Sequence, residues 1–434
     1  MTRSISSGPF ELRGGVLHCE EVPLREIAAA VGTPVYVYSA GAMRDQARRL
    51  REALSALGDA LIAYAVKANP NAAVLATFAA EGLGADIVSG GELKRALAAG
   101  IPANKIVFSG VGKTREEMRL ALEAGICQFN LESGAEAVML SEVATSLGRE
   151  AHAAFRVNPG VEPGTHAKIS TGLAESKFGI QIDNAVDEYR KAAALPGVEL
   201  QGVAVHIGSQ LTSLDPFERA FTAVGELIAE LRAAGHSITT ADLGGGLGVP
   251  YDPAAKPPPA PADYGAMVAR VTRDWDVRLV FEPGRFLVAN AGVLLTEVIR
   301  MKPGATQPFV IVDAAMNDLM RPTLYDAWHS IDAVEPSGER MTANVVGPVC
   351  ESGDTFALAR ELDRVAEGDL VVFRTAGAYA ATMASTYNSR PLTPEVLVDG
   401  DRWAVVRPRI DVEALIAADS IPDWLAGCAA NGNG

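Results

Sequence analysis

Lys67 lies at the end of an apolar and aromatic run, IAYAV, where a charged side chain is unusual. Lysine is rarely buried in proteins unless it has a partner. Burial lowers the pKa of an amine, and the neutral amine is a nucleophile suited to Schiff-base formation with a carbonyl compound. The position indicates a reactive lysine of depressed pKa, and the alternative is a lysine at a strand end that extends into solvent.

A run of three glycines, Gly244, Gly245 and Gly246, follows another apolar segment. Consecutive backbone N–H groups without side chains can form a cradle for an anion, and Ser209 at the end of VAVHIGS could add a hydroxyl donor. No Gly-Lys-Ser/Thr sequence follows, so this is not a Walker loop, and it does not follow a first strand as a dinucleotide fingerprint would. The run predicts an anion site, with a simple turn as the alternative.

Glu282 and Arg285 belong to the sequence EPGR, which ends a third apolar segment. A buried carboxylate needs a hydrogen-bond donor or a cation, so Glu282 either faces a ligand or forms an ion pair with Arg285 or another barrel residue. His206 ends the strand that leads to Ser209, and it is either a ligand-facing residue or a hydrogen-bonded core histidine. Asp86 lies in the similar segment GADIVS.

The second half of the chain carries further candidates. Cys350, in GPVCESGD, could donate a proton, although most cysteines are inert, small hydrophobic residues. Arg321 and Tyr325 would share one helix face, although Pro322 favours a turn or a helix start; the alternative is a surface arginine beside a packed tyrosine. Tyr379 follows small residues that would allow close approach to a ligand, and otherwise it is an ordinary sheet tyrosine.

The elements around these residues predict how they are brought together. Helical segments alternate with continuous apolar strands about eight times between residues 41 and 290, as in a parallel sheet buried on both faces. This alternation predicts a (β/α)8 barrel, in which polar residues at the strand ends converge on one mouth. A doubly wound sheet has the same alternation and is the alternative.

After residue 290 the segments are strand-like and separated by turns, which predicts a second, mostly β domain of the sandwich or barrel-like kind, formed from both chain ends. We expect residues 1–40 to contribute to the β domain, 41–290 to form the cofactor-binding barrel, 291–420 to form the C-terminal β domain and 421–434 to be a flexible tail.

Composition restricts the classes of function. The net charge of −15 disfavours binding to nucleic acid or to anionic membranes. No uncharged apolar stretch is long enough for a membrane span, and the N-terminus lacks the apolar core of a signal peptide. The four cysteines are scattered and form neither a disulfide framework nor a zinc pattern, so we expect no metal and a cytoplasmic location.

Taken in order, the motifs YAVKAN, GADIVSGGEL, HIGSQ, GGGLG, EPGR, MNDLMRPTLYDAWH, CESGD and GAYA resemble the diaminopimelate decarboxylase family, a barrel (fold type III) group of pyridoxal-phosphate decarboxylases. The segment HAKISTGLAESKFG at 166–179 is also similar to this family. The resemblance covers about residues 10–415.

The resemblance implies that pyridoxal 5′-phosphate is held by Lys67 as a Schiff base, with His206 stacked on its ring and Glu282 paired with its pyridine nitrogen. Asp86 would lie near the cofactor. The phosphate would be bound by residues from several strand ends and loops: Ser209, Gly244, Gly245, Gly246, Glu282, Pro283, Gly284, Arg285 and Tyr379.

The resemblance also implies the substrate, meso-diaminopimelate, which would lose one carboxylate to give L-lysine in the last step of lysine biosynthesis. Cys350 would protonate the carbanion, and Glu351 would face the distal ammonium. Arg285, Arg321 and Tyr325 would hold the distal carboxylate, and Tyr379 would be a further substrate-binding residue. Family members are homodimers in which the CESGD segment crosses to the partner's site.

Three rival functions share parts of this pattern. A decarboxylase of the same fold could act on ornithine, a carboxylated polyamine or a carrier-bound amino acid. An amino-acid racemase on the same barrel would use a tyrosine base and an arginine at the pyridine nitrogen, so Glu282 and Cys350 argue against it. A non-catalytic cofactor-binding protein would be a barrel alone and would not need GPVCESGD or the β domain.

Overall fold

The computed structural model describes residues 8–162 and 177–426. Most of the motif at 166–179, Cys428 and the end of the predicted tail lie outside these ranges. The chain begins with a small antiparallel sheet, a helix and a strand, and a long helix leads into the barrel. These elements are β1 (Phe10–Arg13), β2 (Val16–Cys19), β3 (Val22–Pro23), α1 (Leu24–Val31), β4 (Val35–Ser39) and α2 (Ala40–Ala53).

Strands and helices then alternate. These elements are β5 (Leu61–Ala65), α3 (Ala72–Ala80), β6 (Gly84–Ile87), α4 (Gly90–Ala98), β7 (Ile106–Phe108), α5 (Arg115–Ala124), β8 (Gln128–Leu131), α6 (Gly134–Leu147), β9 (Ala151–Asn158), β10 (Ile180–Gln181), α7 (Ala185–Ala192), β11 (Val198–Val205), α8 (Asp215–Ala233), β12 (Thr240–Asp242), α9 (Pro261–Val271) and β13 (Arg278–Phe281).

Eight of these strands, all described in full, form a closed parallel barrel. Each pairs with the next in the order β5, β6, β7, β8, β9, β11, β12 and β13. The barrel closes where Val280 and Phe281 pair with Leu61 and Ile62. Closure confirms the predicted (β/α)8 barrel and excludes the doubly wound alternative, whose sheet stays open.

The remaining elements form a mostly β domain. They are α10 (Arg285–Val288), β14 (Gly292–Lys302), β15 (Phe309–Val312), α11 (Arg321–Tyr325), β16 (Ile331–Ala333), β17 (Arg340–Val346), β18 (Thr355–Asp363), β19 (Leu370–Phe373), β20 (Glu395–Asp399), β21 (Arg402–Arg407), α12 (Val412–Ala418) and α13 (Asp423–Ala426). N-terminal β4 lies between β14 and β20 in this sheet, which confirms that both chain ends build the domain.

Local sequence explains why the barrel elements begin and end where they do. Strands β5 and β7 are buried throughout, which accounts for their continuous apolar sequence. Thr114 caps the start of helix α5, where its side chain forms a capping box with Glu117, and Gly125 in the left-handed conformation caps the end. Such firm helix ends fix the loops that carry polar residues to the barrel mouth.

The strand-like sequence VVGPVCESGDTFA is only partly a strand. Residues 347–354 form a turn between β17 and β18. The Asp354 carboxylate accepts backbone N–H bonds from Met316 at 2.6 Å and Val349 at 2.7 Å. These bonds replace the ladder bonds of a strand and hold Cys350 in an exposed turn.

Among the helices of residues 8–162 and 177–426, none has the length and apolar character needed to cross a bilayer.

Candidate active site

A cavity of about 570 Å³, including the space at its opening, lies at the carboxyl end of the barrel strands. Residues from four barrel strand ends and from the β domain line it together. The predicted residues on its wall are Lys67, His206, Ser209, Gly244, Gly245, Gly246, Glu282, Pro283, Gly284, Arg285 and Tyr379. The barrel and the β domain thus bring together Lys67 and Tyr379, which are more than 300 positions apart in sequence.

Lys67 follows β5, and its side chain is 36% exposed, next to fully buried Asp86. Its Nζ donates a hydrogen bond to Asp86 Oδ2. Burial lowers the pKa of the amine, but the charges of Asp86, Glu282 and Tyr379 raise it, and the net pKa lies above the ordinary lysine value. The predicted depressed pKa is wrong, because carboxylates stabilise the ammonium form. Asp86 is placed to accept the proton that Lys67 must lose before acting as a nucleophile.

Glu282 and Asp242 form a buried pair of carboxyl groups beneath the cavity. Asn130 Nδ2 donates to Asp242 at 2.8 Å and to Glu282 at 3.3 Å, and Ser109 Oγ donates to Glu282 at 3.1 Å. Glu282 therefore forms no ion pair with Arg285, one of the alternatives from sequence, and instead accepts hydrogen bonds from other barrel residues.

Burial raises the pKa of Asp242 to about 6, although the hydrogen bond from Asn130 lowers it. Burial, followed by the charges of Asp242 and Asp86, raises the pKa of Glu282 well above its ordinary value. The pair therefore retains a proton at a pH at which exposed carboxyl groups are ionised. A cationic ring nitrogen is the kind of partner that would stabilise the charged form of Glu282.

The glycine run packs too closely for any side chain. A Cβ at Gly245 would lie 2.2 Å from the carbonyl oxygen of Glu282, and one at Gly244 would lie 2.5 Å from that of Val205. Gly244 also has a φ of +66°. The loop can therefore lie directly against the end of β13, where its backbone borders the cavity.

His206 is held as a neutral ring at the end of β11. The Gly245 N–H donates to its Nδ1 at 3.1 Å, so Nδ1 is an acceptor. Burial, together with the charges of Arg156 and Lys67, holds the pKa of His206 well below its ordinary value. A neutral imidazole on the cavity wall is suited to packing against a flat ring.

Two buried arginines lie beside the cavity. Arg285 donates to Tyr251 Oη at 2.6 Å and to Ser209 Oγ at 3.1 Å, and Arg321 donates to His329. The Arg321 guanidinium stacks on the Tyr251 ring at 4.1 Å from its centre. Within the described parts of the chain, neither arginine pairs with a carboxylate, so the pair is suited to an anion.

Arg321 begins α11 and Tyr325 ends it, with Pro322 in the first turn, so the predicted helix start is observed. Burial lowers the pKa of Arg285, but the phenols of Tyr251, Tyr379 and Tyr325 raise it above its ordinary value, so Tyr325 lies near the arginine pair.

Tyr379 reaches the barrel mouth from the β domain. Its backbone N–H donates to the Ala68 carbonyl at 2.8 Å, next to Lys67. Its φ of +55° is unusual for a residue with a side chain, and such backbone strain is often found at functional sites. The Arg285 guanidinium lies 4.7 Å from the centre of its ring.

Cys350 and Glu351 do not line the cavity that contains Lys67. Cys350 is exposed, and Glu351 forms a hydrogen bond with Tyr387, which raises the pKa of that phenol. Thr323 Oγ1 donates to the Gly353 carbonyl at 2.7 Å, so the turn is attached to α11. The structure therefore does not bring these two predicted residues to the lysine of the same chain.

The cavity fits pyridoxal 5′-phosphate by the chemistry of its groups. It offers an amine at Lys67 for an aldehyde, a carboxyl at Glu282 for a ring nitrogen and a loop without side chains for a phosphate. Asp86 Oδ1 is buried and has no hydrogen-bond partner among the described residues, so a ligand could supply a donor.

Sequence reasoning did not identify four polar residues that support this site: Tyr251, His329, Asp242 and Asn130. Asp242 ends β12, two residues before the glycine run, and Asn130 is the next-to-last residue of β8, so the rule of polar strand ends could have found both. His329 lies inside the motif MNDLMRPTLYDAWH, but no local pattern indicates its partner.

Comparisons with known proteins agree with this chemistry. The family model for the pyridoxal-dependent decarboxylase, pyridoxal binding domain, matches residues 43–289. The diaminopimelate decarboxylase of Zymomonas mobilis is 57% identical over 419 residues, which cover 96% of this chain and 100% of that protein. The crystal structure of diaminopimelate decarboxylase from M. jannaschii in complex with L-lysine has a TM-score of 0.92 and 38% identity, covering 96% of this chain and 98% of that one.

A lysine/ornithine decarboxylase from Vibrio vulnificus, solved with putrescine, has a TM-score of 0.75 at 22% identity, covering 87% of this chain and 96% of that one. That similarity is one of fold alone.

Proposed function

The chain belongs to the diaminopimelate decarboxylases within the pyridoxal-dependent decarboxylases, and we propose that it converts meso-2,6-diaminopimelate into L-lysine and carbon dioxide. This reaction is the last step of lysine biosynthesis, and the cofactor is pyridoxal 5′-phosphate. The proposal for the substrate rests on one observation above all, the two buried arginines beside the cavity that have no carboxylate partner in the described chain.

The arginine pair favours a substrate with a second carboxylate. Arg285 and Arg321 are 7% and 6% exposed, so leaving both without an anion is costly. Diaminopimelate keeps one carboxylate after the other has left, and a planar guanidinium can bind it through two parallel hydrogen bonds. Ornithine and lysine end in an amine alone at that position, so they would leave the arginines unpaired.

We assign the cofactor to the cavity wall. Lys67 would hold it covalently, Glu282 would face its ring nitrogen, and His206 would pack against its ring. Its phosphate would lie among Ser209, Tyr379 and the backbone of the glycine run at 244–246 and of the turn at 282–285. When bound, pyridoxal phosphate supplies an electron sink for the pair left behind by the departing carboxylate.

The protein groups then determine which bond breaks and where the proton goes. Arg285, Arg321 and Tyr325 hold the carboxylate that stays, which turns the other carboxylate toward the reacting position. The bond between the reacting carbon and the carboxylate that is not held by the arginines breaks, and carbon dioxide leaves. The thiol of Cys350 then delivers a proton to that carbon. The thiolate regains its proton from solvent.

Cys350 and Glu351 would come from a second copy of the chain. This is supported by the exposure of Cys350 and by its absence from the wall of the cavity that contains Lys67. A homodimer in which each turn at 347–354 enters the partner's site would complete both sites. Glu351 of the partner subunit would then face the distal ammonium of the substrate.

We further propose that residues 1–40 and 291–420 act as one β domain around the barrel of residues 41–290, with 421–434 as a tail. A cytoplasmic location is supported by the free thiols of Cys19, Cys127 and Cys350, since disulfides are rare in that compartment.

Product analysis tests the function directly. Purified protein with pyridoxal phosphate should release carbon dioxide and L-lysine from meso-diaminopimelate in equal amounts. Ornithine and L-lysine, supplied at the same concentration, should react far more slowly. Faster release of carbon dioxide from ornithine would overturn the substrate, and racemised product without carbon dioxide would overturn the reaction.

A further inference from the structure

His329 is buried behind the arginine pair and has two hydrogen-bond partners that determine its protonation state. Its Nδ1 lies 2.7 Å from the Arg374 carbonyl, which can only accept, so Nδ1 carries a hydrogen. Its Nε2 lies 2.8 Å from Nη1 of Arg321, which can only donate, so Nε2 must accept. The ring is therefore neutral, in a single tautomer.

The surroundings of His329 maintain this neutral form. Burial lowers its pKa to about 3, and the charges of Arg321, Arg285 and Arg360 act in the same direction, against the hydrogen bond to the Arg374 carbonyl. A protonated ring would direct an Nε2–H at the N–H of Arg321. The site therefore provides a hydrogen-bond acceptor for a guanidinium without adding a negative charge.

His329 and the Tyr251 side chain together hold both arginines in place. The Tyr251 ring contacts the His329 ring edge to face, with centres 5.4 Å apart at 78°. The same phenol stacks on Arg321 and accepts a hydrogen bond from Arg285. A carboxylate in place of His329 would pair with Arg321 and neutralise it, whereas a neutral nitrogen orients the guanidinium and leaves its charge available.

We propose that His329 is a positioning residue for substrate specificity: its neutral Nε2 holds Arg321 in the orientation that binds the retained carboxylate of the substrate. The inference rests on the proposed function, because it assumes that this carboxylate is bound by Arg321.

Two substitutions separate the two hydrogen bonds of His329. In His329→Asn the side-chain amide can still donate to the Arg374 carbonyl, but it is too short to accept from Arg321. In His329→Gln the amide oxygen reaches the position of Nε2 and can accept from Arg321. If His329 serves only to hold the fold at Arg374, the Asn variant should retain L-lysine binding. If His329 positions Arg321, the Gln variant should retain it.

The measurement is calorimetric binding of two ligands to the holoenzyme, L-lysine and cadaverine, which differ only in the carboxylate. We expect His329→Asn to weaken L-lysine binding by about tenfold or more, as for a lost hydrogen bond to a charged group. Cadaverine binding should change by less than about twofold, and His329→Gln should keep both affinities close to wild type. The KM for meso-diaminopimelate should rise in His329→Asn in parallel with the L-lysine dissociation constant.

A second arm measures the coupling between the two residues. On the Arg321→Met background, His329→Asn should have no further effect on L-lysine binding, because its partner is gone. The inference is overturned if Asn and Gln weaken L-lysine binding equally, if cadaverine binding falls as much as L-lysine binding, or if the effects are additive. A wild-type enzyme that binds L-lysine no better than cadaverine would overturn the proposed carboxylate site itself.

Discussion

Among the individual side chains, the unusual feature is a group of three buried carboxyl groups around one amine. Asp86, Asp242 and Glu282 are all below 8% exposed, and Lys67 is the amine whose charge acts on Glu282. Three full negative charges next to one positive charge would be strongly unfavourable in a site of low polarity. The raised pKa values of Asp242 and Glu282 are the consequence, and binding of a cationic ring would change that balance.

Replacing Glu282 by Gln should lower kcat by about 100-fold, because an amide cannot stabilise a positive charge on the ring nitrogen. The measurement is steady-state kinetics with meso-diaminopimelate at saturating cofactor. Ser109→Ala is the matched control, since it removes one hydrogen bond from the same carboxyl and leaves the charge, and its effect should stay below about tenfold. Equal losses in the two variants would contradict the role of the charge.

The buried, neutral His329 should make the fold sensitive to acid. Its pKa is about 3 in the folded protein and near 6.5 in an unfolded chain. Between these values the unfolded chain binds a proton that the folded protein does not, so stability falls as pH falls, by at most about 1.4 kcal/mol per pH unit. Asp242 acts in the opposite sense, because its raised pKa of about 6 favours the folded state as pH falls toward 4.

His329→Gln removes one of these groups, so its melting temperature should fall less steeply than that of the wild type between pH 7 and pH 5. Calorimetry of both holoenzymes at several pH values measures the difference between their melting temperatures. The three arginines and the Tyr251 ring that face this position are unchanged in the variant, so they cancel in the comparison. A difference in melting temperature that does not change with pH would contradict the assignment of a neutral ring to His329.

At the scale of elements, the loop after β12 determines how closely the backbone approaches the cavity. Gly245→Ala should weaken binding of pyridoxal phosphate by about tenfold or more, because its Cβ would lie 2.2 Å from the Glu282 carbonyl oxygen and the loop must move. Gly112→Ala is the matched control: no atom lies within 4 Å of its Cβ position. Titration of each apoenzyme with pyridoxal phosphate measures the cofactor affinity of the two variants. Equal affinities would contradict the packing argument.

The rule that barrel strands end at one mouth was enough to predict a large part of this site. Lys67, His206 and Glu282 each end an apolar segment, so the fold class alone brings them together. Tyr251 and His329 could not be predicted in this way. They come from a loop after β12 and from the segment after α11, and only the packing of the β domain against the barrel makes them neighbours.

The error over the pKa of Lys67 has a related cause. Burial was visible in the apolar sequence around the lysine, but the pKa also depends on Asp86 and Glu282, which are 19 and 215 positions away along the chain. Distances between such residues are set by strand register, as in the pairing of Ala65 with Asp86, and a sequence pattern does not contain that register.

At the scale of the whole molecule, an overall charge of −15 coexists with a cationic site. The acidic residues are mostly exposed and many pair with surface arginines, such as Glu218 with Arg270, whereas Arg285 and Arg321 are buried. The mean field therefore repels polyanions, while a small zwitterion that enters the cavity meets two arginines that pair with no carboxylate of the described residues.

The separation of Lys67 from Cys350 gives the sharpest test of assembly. A dimer of one Lys67→Ala chain and one Cys350→Ala chain, isolated with two different tags, should have about half the activity of the wild-type dimer. Each parent homodimer should be almost inactive. The reason is that one of the two shared sites then combines the intact lysine of one chain with the intact cysteine of the other.

The reciprocal heterodimer, in which a wild-type chain is paired with a chain carrying both substitutions, serves as the control. With shared sites, each site lacks either Lys67 or Cys350, so activity should be nearly absent. With sites built within single chains, the wild-type chain alone would give about half the activity, and the Lys67→Ala and Cys350→Ala pair would give none. The two arrangements therefore predict opposite results for the same pair of dimers, and the assay of carbon dioxide release decides between them.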